Sequence, residues 1–262
     1  MKINSAALLL STVLLACCKP ETTPPVQETT PKVTTYVADI EAEEGKLKGL
    51  WLSDEYLNRI EKLRSVYNAG EEQSMTFGFT IEPDSLDAKK LFFNTFSKNE
   101  GGPVGVLAYD EAKKKFVHLS SGEEHESIKQ SFDIQPIDEN QLVLNLDSGT
   151  KEAYRRITDI DGSINKILFE GAYIEQDTGN EVVFKANGTI SGLPDKGFYT
   201  ILYAFDNGYV FDTVLLALTE KREDSERYHF TIKNDILKLY TILEDENEVL
   251  TIGPLAYTFT KK

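Results

Sequence analysis

The sequence predicts a mainly β protein, an antiparallel meander that closes into barrels and divides into two adjoining lobes, with one short helix after the first strand. Three observations predict it. Short runs of aromatic and aliphatic residues recur about every ten residues, with turn residues between them. Both cysteines, Cys17 and Cys18, stand near the N-terminus, so the body must be held by an apolar core and not by cross-links. The runs are also too many for one soluble barrel filled by side chains, whose strand number is nearer ~8, so two lobes suit the 262 residues better than one.

In chain order, Met1 and Lys2 make a basic start and Ala6 to Ala16 form an apolar run. That run is well short of the ~20 residues a permanent membrane helix needs, so residues 1–16 read as a signal peptide. Leu14, Leu15, Ala16 and Cys17 resemble the lipobox of bacterial lipoproteins. The peptidase needs a small residue at the cut, and only a thiol can take diacylglycerol through a thioether. The resemblance implies that Cys17 becomes the first residue of the mature chain and carries the lipid, with acyl chains of the palmitate type. Two or three such chains anchor stably at ~0.8 kcal/mol per buried methylene. The expectation is a protein held on a membrane of the bacterial cell envelope, its body outside the cytoplasm. In a Gram-negative host the outer membrane is expected over the inner, because Cys18 is not the retaining aspartate. Cys18 is a second acylation site or an idle thiol.

Residues 17–44 read as a lipidated tether. Pro20, Pro24, Pro25 and Pro31 alternate with threonines, a composition that favours extended polyproline II at ~3.1 Å per residue. A first β lobe is expected over 45–158 and a second over 159–262. The first carries runs at Met75–Ile81, Leu91–Phe96, Val104–Tyr109, Phe116–Leu119, Phe132–Ile137 and Leu142–Leu146. The second carries them at Ala172–Ile174, Val182–Lys185, Thr189–Ser191, Phe198–Phe205, Val210–Leu218, Tyr228–Ile232, Leu237–Leu243, Val249–Ile252 and Ala256–Phe259. A helix is expected over 54–67: Ser53 can cap it, Asp54 and Glu55 suit its first turn, and Tyr56, Leu57, Ile60 and Leu63 recur at helical spacing. Its apolar stripe suits a lid on a sheet or barrel mouth. The halves also form a loose tandem, with Gly49, Leu50 and Trp51 opening one and Gly171, Ala172 and Tyr173 the other.

Gly49, Leu50 and Trp51 resemble the Gly-x-Trp of the lipocalin group, and the strand, helix, strand order after them is similar to the related fatty-acid-binding proteins. The resemblance implies lipocalin-like barrels. It also implies that Trp51 closes a barrel floor and that an arginine from a late strand, Arg155 or Arg156, packs on it.

Charge and motifs bound the function. There are 43 acidic against 28 basic side chains, a formal net charge of −15, which argues against nucleic acid as a partner and suits a basic protein partner. The sequence has no Gly-x-Ser-x-Gly, no phosphate-binding glycine loop and no His-Glu-x-x-His, so no enzyme and no cofactor are expected. His118, and His125 among Glu123, Glu124 and Glu126, read as residues of a charged loop and not as a metal site. Asp159, Asp161, Gly162, Ser163 and Asn165 read as an acidic turn, and Glu244, Asp245, Glu246 and Glu248 as a solvated hairpin tip. The leading expectation is a non-catalytic lipoprotein binding a small apolar or amphipathic ligand in a barrel, with Tyr199, Tyr203, Phe205 and Tyr209 as candidate lining residues. The alternative is an acidic envelope assembly protein docking a basic partner.

Overall fold

The computed structural model describes residues 32–70, 76–96, 102, 104–118, 131–203, 205, 209–221 and 223–262. Eight strands come from the first half: β1 (Gly49–Ser53), β2 (Gly78–Pro83), β3 (Lys90–Phe96), β4 (Val104–Asp110), β5 (Lys115–His118), β6 (Phe132–Pro136), β7 (Gln141–Leu146) and β8 (Lys151–Ile157). Each pairs antiparallel with the next, and β1 pairs with β8, so the sheet is a closed up-and-down barrel. The second half repeats the plan with β9 (Gly171–Glu175), β10 (Glu181–Phe184), β11 (Ile190–Ser191), β12 (Phe198–Ile201), β13 (Thr213–Ala217), β14 (Glu226–Lys233), β15 (Ile236–Glu244) and β16 (Leu250–Lys261). Its strand order is β11-β10-β9-β16-β15-β14-β13-β12. The end strands β11 and β12 approach each other through a bridge between Thr189 and Phe198 and a Tyr199 N–H donated to the Gly188 carbonyl at 2.7 Å. Two eight-stranded antiparallel barrels are therefore the architecture, consistent with a lipocalin-like fold.

Alternation fixes the register. Along β3, Leu91, Phe93 and Thr95 are buried and Lys90 and Phe92 are exposed; along β4, Gly105, Leu107 and Tyr109 are buried and Val104, Val106 and Ala108 are exposed. A slip of one residue would turn every inward side chain to water. Trp51, Phe79, Phe93, Phe132 and Tyr154 fill the first barrel, Phe79 lying 4.4 Å from Phe93 and 4.6 Å from Tyr154, ring centre to ring centre. Phe169, Phe184, Tyr199, Phe230 and Phe259 fill the second, where Phe169 packs edge-on against Phe230 at 5.0 Å.

The described residues also form four helices: α1 (Lys32–Leu47), α2 (Asp54–Leu63), α3 (Val66–Ala69) and α4 (Ile160–Leu168). Helix α1 lies across the floor of the first barrel, where Ile40 and Leu47 join the core and Lys114, in the β4–β5 turn, pairs with Asp39 at 2.9 Å. The stretch expected to be extended up to residue 44 is therefore helical from Lys32, because burial of Ile40 and Leu47 gives it a core to join. The rest of that stretch, the signal peptide and both cysteines lie outside the described residues.

The expected helix over 54–67 is two helices. Ser53 caps α2 by accepting the Tyr56 N–H, but Arg64 turns left-handed (φ 53°) and Ser65 is extended and caps α3. The pair stands at the mouth of the first barrel, yet Tyr56, Ile60, Val66 and Ala69 belong to the core of the second. They meet α4, which was not expected: Asp159, read as part of an acidic turn, caps it through the Gly162 N–H. The mouth of the first barrel thus faces the floor of the second. Arg64 donates to the last carbonyls of α4, Ile167 at 2.7 Å and Leu168 at 3.0 Å, where a cation is favoured by the helix dipole.

The junction also holds a buried carboxylate. Asp212, just before β13, accepts the Ser65 hydroxyl at 2.6 Å and the N–H groups of Val66 at 2.7 Å and Tyr67 at 2.9 Å, so one half of the chain caps a helix of the other. Burial raises its carboxyl above the usual aspartate range, against the pull of those three hydrogen bonds and of His229. Asp212→Ala orphans buried donors and should cost about 1–3 kcal/mol in urea unfolding. Because the folded chain holds this proton more tightly than the unfolded one, the stability linked to it is present in acid and is lost as pH rises through the raised value. The gap between wild type and Asp212→Ala should therefore narrow as pH climbs from the ordinary aspartate range.

Candidate functional site

The two barrels begin with the same floor. Gly49 (φ +140°) and Gly171 (φ +146°) hold a backbone conformation that side-chain-bearing residues rarely adopt. Two residues on, Trp51 and Tyr173 point inward and are buried. Across the sheet, Trp51 is paired in register with Arg156 and Tyr173 with Lys261. The Arg156 guanidinium lies 4.6 Å from the Trp51 ring centre and donates to the Lys46 carbonyl at 2.6 Å. The Lys261 ammonium lies 5.8 Å from the Tyr173 ring centre and donates to the Glu170 carbonyl at 3.1 Å. Trp51 adds a bond from its indole N–H to the Leu47 carbonyl at 2.8 Å, and burial pushes the Tyr173 hydroxyl up to about 12. The floors therefore share an element, an aromatic with a cation on its face, attached to the chain that precedes the first strand. Arg155 points outward instead and pairs with Asp54 at 3.0 Å.

The mouth of the second barrel is the remaining barrel end, since α1 stands at the floor of the first barrel and α2, α3 and α4 lie between the two barrels. There a cleft of about 310 Å³ is walled by Val182, Leu193, Pro194, Ala256 and Tyr257, with Glu175, Asp177, Thr178 and Asp195 at its rim. Val182, Leu193 and Tyr257 also belong to or pack on the core, so core side chains form part of the cleft's lining. Glu175 is fixed by its own turn: its carboxylate accepts the Thr178 hydroxyl and the N–H groups of Asp177 and Thr178, which hold it below the usual carboxylate range. A larger surface groove, about 730 Å³, lies between α1 and the β6–β7 hairpin at the first floor, lined by Glu43, Lys46, Ile137, Glu139 and Arg156. Its two cations are already engaged, Lys46 by Glu43 and Arg156 by Trp51.

The four aromatic residues singled out from sequence lie away from that mouth. Tyr199 is buried in the core, stacked on Phe169 at 5.5 Å, with its hydroxyl donated to the Lys185 carbonyl at 2.8 Å. Tyr203, Phe205 and Tyr209 sit in the β12–β13 connection at the floor; Phe205 packs edge-on to Tyr67 at 5.1 Å, and Arg227 reaches the Tyr209 hydroxyl at 3.5 Å. The cleft residues escape sequence reading because they come from two loops and from the strands β9, β10 and β16, none of them aromatic except Tyr257. His118 is buried with Nδ1 3.1 Å from the Val106 carbonyl, and His229 has Nδ1 2.9 Å from the Asp212 carbonyl; His125 lies outside the described residues. Among the described residues, no group of three or more His, Cys, Asp or Glu side chains converges as metal ligands, and no helix is long and apolar enough to cross a membrane.

The fold is a tandem of eight-stranded antiparallel barrels, consistent with a lipocalin-like fold and compatible with ligand binding. No family model, no curated protein and no solved structure matches the chain.

Proposed function

We propose that the protein is a non-catalytic, lipid-anchored protein of the bacterial cell envelope that holds a small apolar or amphipathic ligand in the mouth of its second barrel. The observation that carries the reading is the 310 Å³ cleft, lined in part by apolar residues of the barrel core, at the barrel end that no helix among the described residues covers. Its volume is at the lower end of the ~300–1,000 Å³ found for small-molecule sites, which suits a compact ligand. The aromatic rings that fill both barrels restrict the ligand to this mouth. The lipid on Cys17 would attach the chain from the α1 side, at the far end of the tandem from the cleft.

Full-length protein in mild detergent, titrated with the neutral fluorophore N-phenyl-1-naphthylamine, should show one saturable site. Ala256→Trp, which fills the cleft, should reduce uptake at least tenfold, whereas Tyr209→Phe at the floor should leave it unchanged. Native mass spectrometry of the same preparation should find a co-purified small molecule in the wild type and not in Ala256→Trp. Fluorophore uptake that Ala256→Trp leaves intact would overturn the reading.

A further inference from the structure

Strands β15 and β16 outrun their neighbours. β9 pairs with β16 only over Phe259–Lys261, extended by one bond from the Gln176 N–H to the Thr258 carbonyl, and β14 pairs with β15 only as far as Thr241. Ile242–Glu244 and Leu250–Pro254 therefore project past the barrel rim as a ribbon of two strands, paired to each other through Ile242 and Ile252, Leu243 and Thr251, and Glu244 and Leu250, with Leu255 at its base opposite Tyr240. A ribbon of two strands has little stability of its own in water, and this one leaves Leu243, Val249, Ile252 and Leu255 each 50–53% exposed. Exposed apolar side chains on a bare strand edge are what an added strand covers.

We propose that this ribbon docks an extended, basic segment of a partner protein along the outer edge of β16. Charge selects the occupant. The ribbon ends in Glu244, Asp245, Glu246 and Glu248; Arg227 is held by Glu244 at 2.8 Å, and Asp245 is used in the turn, accepting the N–H groups of Asn247 and Val249. A second copy would bring the same acidic tip and another net −15, and an anionic bilayer surface would repel it equally. A segment alternating lysine or arginine with aliphatic residues meets both features, its apolar side chains on Ile252 and Leu255 and its cations toward the tip. Pro254 has no N–H to offer, so the backbone ladder is confined to Leu250–Gly253.

The test is hydrogen exchange on the full-length protein in detergent with a short peptide alternating lysine and valine. Binding should be saturable, weaken as salt rises, and protect amides within Leu250–Gly253; the same peptide with glutamate for lysine should not bind. Leu243→Asp combined with Ile252→Asp should weaken binding at least tenfold at an unchanged unfolding midpoint, whereas Leu193→Trp, which fills the proposed ligand cleft, should leave peptide binding unchanged and so separates the two sites. Absence of protection within Leu250–Gly253 would overturn the proposal. So would protection obtained without peptide, either with self-association in sedimentation or on adding phosphatidylglycerol vesicles.

Discussion

Trp51→Ala is expected to cost about 3–5 kcal/mol, the range for deleting a large buried aromatic, and to loosen the first barrel at its floor. The side chain is fully buried, and three attachments end on it: the indole bond to Leu47, the Arg156 guanidinium on its face, and the surrounding core that includes Phe79. Its loss opens a cavity where α1 meets the barrel, so Ile40 and Leu47 lose their support as well. Trp51 is the only tryptophan, so the wild-type fluorescence reports on this floor while circular dichroism follows both barrels. In urea the wild-type signals should coincide, because the two barrels share a core at α2 and α3. The circular dichroism midpoint of Trp51→Ala should fall sharply, and an unchanged midpoint would remove the floor from the structural argument.

Cys17→Ala should abolish incorporation of labelled palmitate, leave the signal uncut by the lipoprotein peptidase, and leave the barrels folded. The effect is all or none on lipidation because Cys17 is the thiol at the lipobox position, while the first strand begins only at Gly49. Radiolabelling and membrane fractionation read the first two outcomes and circular dichroism the third. Normal processing and labelling of the variant would refute the lipoprotein assignment.

The barrels were legible where alternation is strong. Leu91 to Phe96, Val104 to Tyr109 and Leu142 to Leu146 mark strands because one face of each is buried. Strand β8 was nearly silent, since Tyr154 is its one fully buried side chain and the rest, Ile157 apart, is charged or small. The two runs Val249–Ile252 and Ala256–Phe259 are one strand, because register shifts around Tyr240 let β16 continue through Gly253 and Pro254. Gly-x-Trp pointed to the floor, and geometry then distinguished Arg156, on the Trp51 ring, from Arg155, which alternation turns outward to Asp54. The role of Asp212 could not be read, because its partners Ser65, Val66 and Tyr67 lie some 146 residues away along the chain. Nor could the cleft, whose walls meet only when the second barrel closes.

The helices inserted between β1 and β2 impose an order of manufacture. A ribosome releases Tyr56, Ile60 and Val66 long before it has made Phe230 and Phe259, with which they share a core. During that interval the nascent chain carries a sticky face that its own completed portion does not cover. A message truncated after β8 would yield a product with that face permanently open, a natural target for proteolytic clearance. Two self-sufficient barrels joined end to end would have no such dependence, whereas here α2 and α3 make the second core incomplete without the first half.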